Sequence, residues 1–272
     1  MVLQAHWWAV NYLPVAIWPL GLSLLFGLAV LQLGATTPGG AFAGAAITAS
    51  LMYSTVTLTP KEYFPYSPWH TALLPVLAVF VLADIATRIG REQKLRLGTA
   101  ERRQGRSAAQ VAANLGVAGL VSEGVFQSSL ASSNWFSHTA PALLFAVGLA
   151  ALAEAAADTV SSEIGQVLCG QPRMITTLRR VGAGTDGAVS LFGTLAGVAA
   201  AGIVAAVGTW ALGGGAAMFW ISCAGGVFGL FFDSLLGATL ERRGWLNNDA
   251  VNYLSTASAA AFALGVLAFL YH

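Results

Sequence analysis

The chain has 272 residues, 56% of them hydrophobic and only 9% charged, whereas a soluble domain carries about 25% charged residues. This excludes a water-soluble domain built on one core. The formal net charge of +1 is uninformative by itself, and no nucleic-acid partner is expected.

Several apolar runs approach or exceed the roughly 20 residues that cross a hydrocarbon core of about 30 Å. They predict eight helices, near 12–33, 40–58, 69–89, 107–128, 138–157, 187–210, 215–240 and 250–271. The expected fold class is all-α: a polytopic integral membrane helical bundle of about eight transmembrane helices, forming a single transmembrane domain over 1–272. No basic segment precedes the first apolar run, so no cleavable signal is expected and the first helix is retained.

In chain order, the first two helices are joined by LGATTPGG, a Gly/Pro turn. Asp84 stands four residues before Arg88 and predicts an intrahelical pair. Seven of the thirteen Lys and Arg lie from Arg88 to Arg106, spanning the mixed-charge connection near 90–106. The fourth helix opens on Gly105-Arg106-Ser107, with Gln110 and Asn114 four apart; such amides either meet a ligand or hold helices together. Glu123 falls further along, toward the outer half. A long connection near 158–186 carries Arg173, Arg179 and Arg180, and one near 241–249 carries Arg242 and Arg243. With eight spans these basic groups share one side and Lys61 alone falls on the other. Cytoplasmic loops hold the positive excess, so both termini are expected outside. Trp7, Trp8, Trp69, Trp135 and Trp220 suit an outer interfacial belt, although Trp220 also fits a packed core. The histidines His6, His70, His138 and His272 all map outside, away from the acids. Cys169 and Cys223 lack metal-ligand spacing and read as free thiols. Gly193 with Gly197, and Gly225 with Gly229, read as close helix packing.

An ionisable group at bilayer depth marks a candidate functional site, and three clusters qualify. Glu154 and Asp158 share a helix face one turn apart. They repel unless a cation lies between them or one is protonated; the plainer alternative is a water-facing pair satisfied by Ser161, Ser162 or Arg179. Further on, Arg179 and Arg180 precede Gly182, Gly184 and Gly187 at a helix start. Glycine backbone, guanidinium forks and a helix N-terminus together outline a phosphate cradle. It is not a Walker loop, because no G-x-x-x-x-G-K-[ST] occurs in the chain, and spacing alone fits a positive-inside loop with turn glycines equally well. The third cluster is Asp233-Ser234 with Glu241, then Asn247-Asn248-Asp249 and Asn252. Oxygen-only groups of this kind suit Mg²⁺; helix capping would account for one of them.

The strings GRSAAQVAANLGV, ALAEAAADTVSSEIG, PRMITTLRRVGAGTDGAVSLFGTLAG, FFDSLLGATLERR and NNDAVNYLST resemble the signature segments of an integral membrane family containing transmembrane protein 19 and the phytyl-phosphate kinases of tocopherol biosynthesis. The resemblance runs in order from about 105 to 256. It implies a kinase that converts a prenyl, phytyl-like monophosphate to its diphosphate with a nucleoside triphosphate such as CTP. One departure is Asp186, where relatives often carry Asn. A weaker similarity of ADTVSSEIG and the second Asp-Ser to CDP-diacylglycerol synthases and dolichol kinases is analogy.

A prenyl phosphate keeps its tail in lipid while its headgroup meets a soluble nucleotide, so the site is expected at the cytoplasmic interface of a bacterial inner membrane. In that reading Asp158, Asp233 and Asp249 are catalytic and hold Mg²⁺, with Glu154 and Glu163 as further metal ligands. Arg179, Arg180 and the backbone of Gly182, Gly184 and Gly187 bind phosphates, and Asn114, Asn248 and Asn252 orient the ligands. The partners are the prenyl monophosphate, the nucleotide and membrane lipids. The rival class is an ion-coupled or lipid-phosphate transporter, which also uses intramembrane acids and interrupted helices. The one-sided acids and the lack of a sequence repeat favour the enzyme.

Overall fold

The computed structural model describes residues 2–11, 13–56, 67–100, 105–133, 135–136, 139–168 and 171–271. The chain runs through α1 (Val2–Asn11), α2 (Leu13–Gln32), α3 (Pro38–Thr55), a 3-10 turn at Pro68–His70, α4 (Leu73–Arg88), α5 (Arg91–Leu97), α6 (Ala108–Val121) and α7 (Gly124–Ala131). It continues through α8 (Pro141–Leu144), α9 (Ala146–Leu168), α10 (Leu191–Ala211), α11 (Ala216–Leu236) and α12 (Asn248–Tyr271). Two-residue strands β1 (Arg173–Met174) and β2 (Ala188–Val189) pair antiparallel, Arg173 opposite Val189, and close the loop before α10.

Local signals start the helices. Thr37 accepts the Gly40 N–H at 3.1 Å and Pro38 occupies the first turn of α3, where its missing N–H is harmless. Ser107 and Gln110 bond each other's backbone in a capping box that opens α6. Ser190 caps α10 through Gly193.

Helix α9 is the hub, packed against α4, α6, α10, α11 and α12. Its alanines, among them Ala150, Ala151, Ala153, Ala156 and Ala157, are buried, and glycines let the neighbouring helices approach. A Cβ on Gly226 would lie 2.8 Å from the Ala153 Cβ; one on Gly197 would lie 2.8 Å from the Ala157 carbonyl oxygen. The Gly193/Gly197 and Gly225/Gly229 pairs are thus contact points, as their spacing predicts. Without a hydrophobic drive between helices in lipid, such small-residue contacts supply the van der Waals energy of association. Large apolar side chains such as Leu24, Leu195, Trp210, Trp220 and Phe269 point outward, the arrangement lipid favours, so Trp220 is not a core residue.

Each of the eight predicted segments contains a helix, but the eight do not qualify equally as spans. Among the described residues five stretches are long and apolar enough to cross a membrane alone (Val15–Gln32, Ala142–Leu168, Leu191–Ala211, Ala216–Glu241 and Asn248–Tyr271), or up to seven if two bent pairs each count as one span. The pair α4–α5 bends by 67° and α6–α7 by 43°. The first bend falls at Gly90, in the left-handed region at φ +64°; the second falls at Glu123, whose ψ of 140° leaves the helical region. Helix α3 is diluted by Thr48, Ser50, Ser54 and Thr55, all buried.

Three boundaries differ from expectation. Helix α9 continues eleven residues past 157, to Leu168, because TVSSEIGQVL holds no proline, its Gly165 packs against Gly193 of α10, and its Glu163 finds a cationic partner. The 158–186 connection therefore begins near 169, and Glu154 and Asp158 lie on continuous helix. The 90–106 connection contains α5, and Val2–Asn11 forms a helix the apolar runs did not signal. Asp84 and Arg88 pair at 2.8 Å as predicted. Cys223 is a free thiol; Cys169, Lys61 and His138 lie outside the described residues.

This packing predicts a contrast between two glycines. Gly226→Ala forces its methyl against α9 and should destabilise the protein by about 1–3 kcal/mol. Gly202→Ala, whose added methyl meets nothing within 4 Å, should be neutral or stabilising by up to about 1 kcal/mol from helix propensity alone. Thermal unfolding in detergent measures both.

Candidate functional site

Two helices bring acids together inside the bundle, and a third adds a serine. Glu154 and Asp158 sit on successive turns of α9, Asp233 on α11 faces them, and Ser255 on α12 lies beside both Glu154 and Asp233. Gly229 makes the room: a Cβ there would come within 2.4 Å of the Glu154 Cγ. The carboxyls of Asp158 and Asp233 are within hydrogen-bonding reach of one another. Two facing carboxyls cannot both stand as bare anions without a proton or a cation between them.

Glu154 is 1% exposed, and among the described residues its Oε1 has no hydrogen-bond partner; neither has Oδ2 of Asp233. A buried acceptor without a donor costs about 1–3 kcal/mol, so these oxygens mark a place kept for something else. Ser162 donates to the Asp158 carbonyl at 2.8 Å and to its Oδ1 at 3.4 Å, the partner the plainer alternative named, whereas Glu154 is buried and does not face water. Arg106, in the linker before α6, is close enough to act on Asp158. Glu241 interacts with Asp158 and with Asp186, extending the acids outward to the loop.

The other predicted site residues are distributed around this centre. Glu163 is engaged by Lys94 at 2.5 Å and by the Thr87 hydroxyl at 3.4 Å. Lys94, 1% exposed, also donates to the carbonyls of Ala86 and Thr87 at 2.8 and 3.2 Å. It thereby caps the C-terminal carbonyls of α4 and locks α5 against α9. That occupation explains Glu163 without a metal.

Asp249 turns to the opposite flank of α12, into a groove against α6 lined by Ala109, Ala112 and Tyr253, so the fold does not bring it to Asp158 and Asp233. Asn247, not Asn248 or Asp249, caps α12 by accepting the Ala250 N–H at 2.9 Å. Asn248 is exposed, whereas Asn252, three residues before Ser255, shares its face. Asn114 donates to the Gln110 carbonyl at 2.8 Å and lines a cavity together with Gln110 and Arg106.

Arg179 and Arg180 are exposed on the hairpin-like loop, whose backbone is held by Met174 N–H to Arg179 O at 2.9 Å and by the β1–β2 pair. Gly187, at φ +73°, presses on the π-helical turn Gly237–Glu241, where a Cβ would lie 2.3 Å from the Ala238 nitrogen. Gly184, at φ +78°, packs on Thr99, and Gly182 is open. Among the described residues the backbone N–H groups of Gly182, Ala183 and Gly184 find no backbone acceptor. Gly187 is thus needed for packing, and the open donors lie at the other glycines.

Among the described residues no three His, Cys, Asp or Glu side chains form a group that could hold a metal unaided. Mg²⁺ does not require one, because it is held by one or two carboxylates plus waters and substrate phosphates. The Asp158–Asp233 pair, with partnerless oxygens beside it, has the donor chemistry for that mode. Ser255 and Arg106 carried no assigned role in the sequence reading, whereas Glu241 stood in the third acidic cluster. Arg106 left a signal, as the basic residue at the mouth of an amide-bearing helix.

Fold and site together define a polytopic helical membrane protein with carboxyls gathered between its helices. The family described as integral membrane protein DUF92 matches residues 21–260. The chain belongs to that family. It is 37% identical over 184 residues to the uncharacterized membrane protein MJ0933 of Methanocaldococcus jannaschii, covering 68% of this chain and 71% of that one. It is 36% identical over 207 residues to the uncharacterized membrane protein sll0875 of Synechocystis, covering 71% and 72%. With protein VTE6, chloroplastic, of Arabidopsis thaliana, the identity is 32% over 216 residues, 76% of this chain and 60% of the relative. No solved structure matches the chain significantly.

The Lys94–Glu163 pair generates a stability prediction. Lys94→Met leaves Glu163 buried without its cation and should cost about 3–5 kcal/mol, whereas adding Glu163→Leu to it should recover most of the loss. Thermal unfolding of the single and double variants reads the difference; an unchanged single variant would contradict the buried pair.

Proposed function

We propose that this protein is a membrane phosphotransferase that converts a prenyl, phytyl-like monophosphate to the diphosphate with a nucleoside triphosphate such as CTP. One observation carries the reading: carboxyls of Asp158 and Asp233, from two membrane helices, face each other beside partnerless buried oxygens and within reach of Arg106. The family relationship, and the resemblance of these same segments to phytyl-phosphate kinases, point to a lipid-phosphate substrate. The basic linkers around the site support a position at the cytoplasmic face of a cell membrane.

In the reaction an oxygen of the acceptor phosphate forms a bond to the terminal phosphorus of the triphosphate. The bond from that phosphorus to the bridging oxygen breaks, and the nucleoside diphosphate leaves with the electron pair. The acceptor monoester, with a second pKa of about 6, is largely dianionic at neutral pH, so no residue need remove a proton. The work left to the protein is positioning and charge neutralisation. Asp158 and Asp233 would hold Mg²⁺, with Glu154 behind them; when bound, the ion neutralises charge on the donor phosphates. Arg106 balances Asp158 and faces the incoming phosphate. Arg179 and Arg180, exposed on their loop, receive the nucleotide phosphates from water, together with the open N–H groups of Gly182 and Gly184. Asn252 shares the Ser255 face and orients the ligand there, while Asn248 and Asp249 lie off the centre.

The test is lipid diphosphate formed by purified protein from prenyl monophosphates with CTP or ATP, with and without a chelator. Product that vanishes on chelation is expected. Nucleotide-independent, chelator-resistant uptake into sealed vesicles without any diphosphate would replace the kinase by a transporter. Asp158→Asn and Asp233→Asn should each lower turnover by about 100-fold or more, since each removes a charge that acts in the transition state, while Asp249→Asn should be far milder. Arg179→Lys should raise the KM for nucleotide, because an ammonium does not reproduce the two-pronged guanidinium contact.

A further inference from the structure

A cavity of about 230 Å³ opens between α2, α3, α4 and α6. Its lining has two zones. The interior is apolar, walled by Phe26, Val30, Val79, Phe80 and Leu115, with Phe26 and Phe80 meeting edge to face at 5.5 Å. The end toward the linkers carries Arg88, Arg91, Arg106 and Gln110, with Asn114 one helical turn further in. Among the described residues Asp84 is the single acid on the lining, and Arg88 pairs with it at 2.8 Å. Arg91 adds a further cation to the mouth, beside Arg106.

Backbone geometry reinforces that charge. Residues Ala35–Thr37 and Arg106 are stitched together, the Arg106 N–H donating to Ala35 O and the Thr37 N–H to Arg106 O, both at 3.0 Å. This brings the N-terminal ends of α3 and α6 side by side at the mouth, each with partial positive charge. Thr36, 9% exposed, lines the cavity, and among the described residues its Oγ1 has no partner. A buried hydroxyl facing an amphiphilic cavity without a bond is an acceptor or donor held for a ligand.

Resting on the phosphotransferase reading, we infer that this cavity is the acceptor subsite: it holds a prenyl monophosphate with its phosphate at Arg91, Arg106 and Thr36 and its first isoprene units between Phe26, Val79 and Phe80. Charge and polarity match such an amphiphile end for end. The volume lies below the roughly 300 Å³ at which pockets enclose a whole small ligand, so the remainder of the chain extends into lipid between helices. Ala155 of α9 forms part of the wall, between Glu154 and Asp158 in sequence, and Arg106 both lines the cavity and acts on Asp158. The acceptor phosphate is thereby delivered beside the carboxyl pair.

A photoreactive prenyl monophosphate, activated on the full-length protein in nanodiscs without nucleotide and mapped by mass spectrometry, tests the assignment. Labelling of α2, α3 and α4 around the cavity is expected, displaced by unlabelled prenyl monophosphate but not by the uncharged prenol. Gly44 lines the cavity, and a Cβ there meets only the Val111 side chain at 3.7 Å. Gly44→Leu should fill the space, raising the KM for the lipid about tenfold or more with the KM for nucleotide unchanged. The wild-type map stands even if that variant does not fold. Labelling of the α6–α12 groove instead, no labelling, or equal displacement by phosphatidate would overturn the subsite. Labelling in the cavity without diphosphate formation would uphold a lipid-phosphate site while overturning the kinase; diphosphate formation with labels elsewhere would do the reverse.

Discussion

A carboxyl group inside a helical bundle must be met by a cation, a proton or a ligand, and that requirement organises this protein. Glu163 is met by Lys94, which fixes the charged elbow between α4 and α5. Asp158 and Asp233 meet each other, and oxygens of Glu154 and Asp233 are left without partners among the described residues. A fold with stability of about 5–15 kcal/mol keeps such a set only if the surrounding packing is strong enough to bear it. The alanine-rich hub helix and the glycines pressed against it provide that packing.

The same packing decides what the acids can do. Glycine 229 on α11 leaves space for the Glu154 side chain, and the meeting of α9, α11 and α12 brings Asp158, Asp233 and Ser255 to one point. Arg106 arrives from a different part of the chain, pinned by its backbone to the turn before α3. An acid pair and a guanidinium held on separate rigid elements suit phosphoryl transfer, in which positioned charge supplies most of the catalysis. Transporters more often place their binding groups near the midplane between repeats, whereas here Asp158 is also acted on by Arg106 from a linker and by Glu241 from the π-helical turn.

Other features turn out to serve the framework. Gly187 allows the hairpin-like loop to lie on the π-helical turn below Asp233, and Gly184 fits against Thr99. The loop's arginines remain outside, facing solution. Asp249, grouped with Asp233 by composition and proximity in the chain, looks the other way across α12. One turn of helix separates residues that share a face, and a difference of two positions is enough to send a side chain to a different neighbour.

The sequence by itself determined the membrane class, the helix-rich fold, the Asp84–Arg88 pair, the glycine contact points and the shared face of Glu154 and Asp158. All of these follow from composition or from spacings within one helix, where distance in the chain is distance in space. Only the tertiary structure decided that Asp158 meets Asp233, that Glu163 belongs to Lys94, that Arg106 joins the acids, and that Asp249 does not. Those outcomes depend on how helices far apart in the chain rotate and pack against one another. In lipid that rotation is set by small-residue contacts on several faces at once, and no one-dimensional spacing encodes which face of each helix turns toward which neighbour.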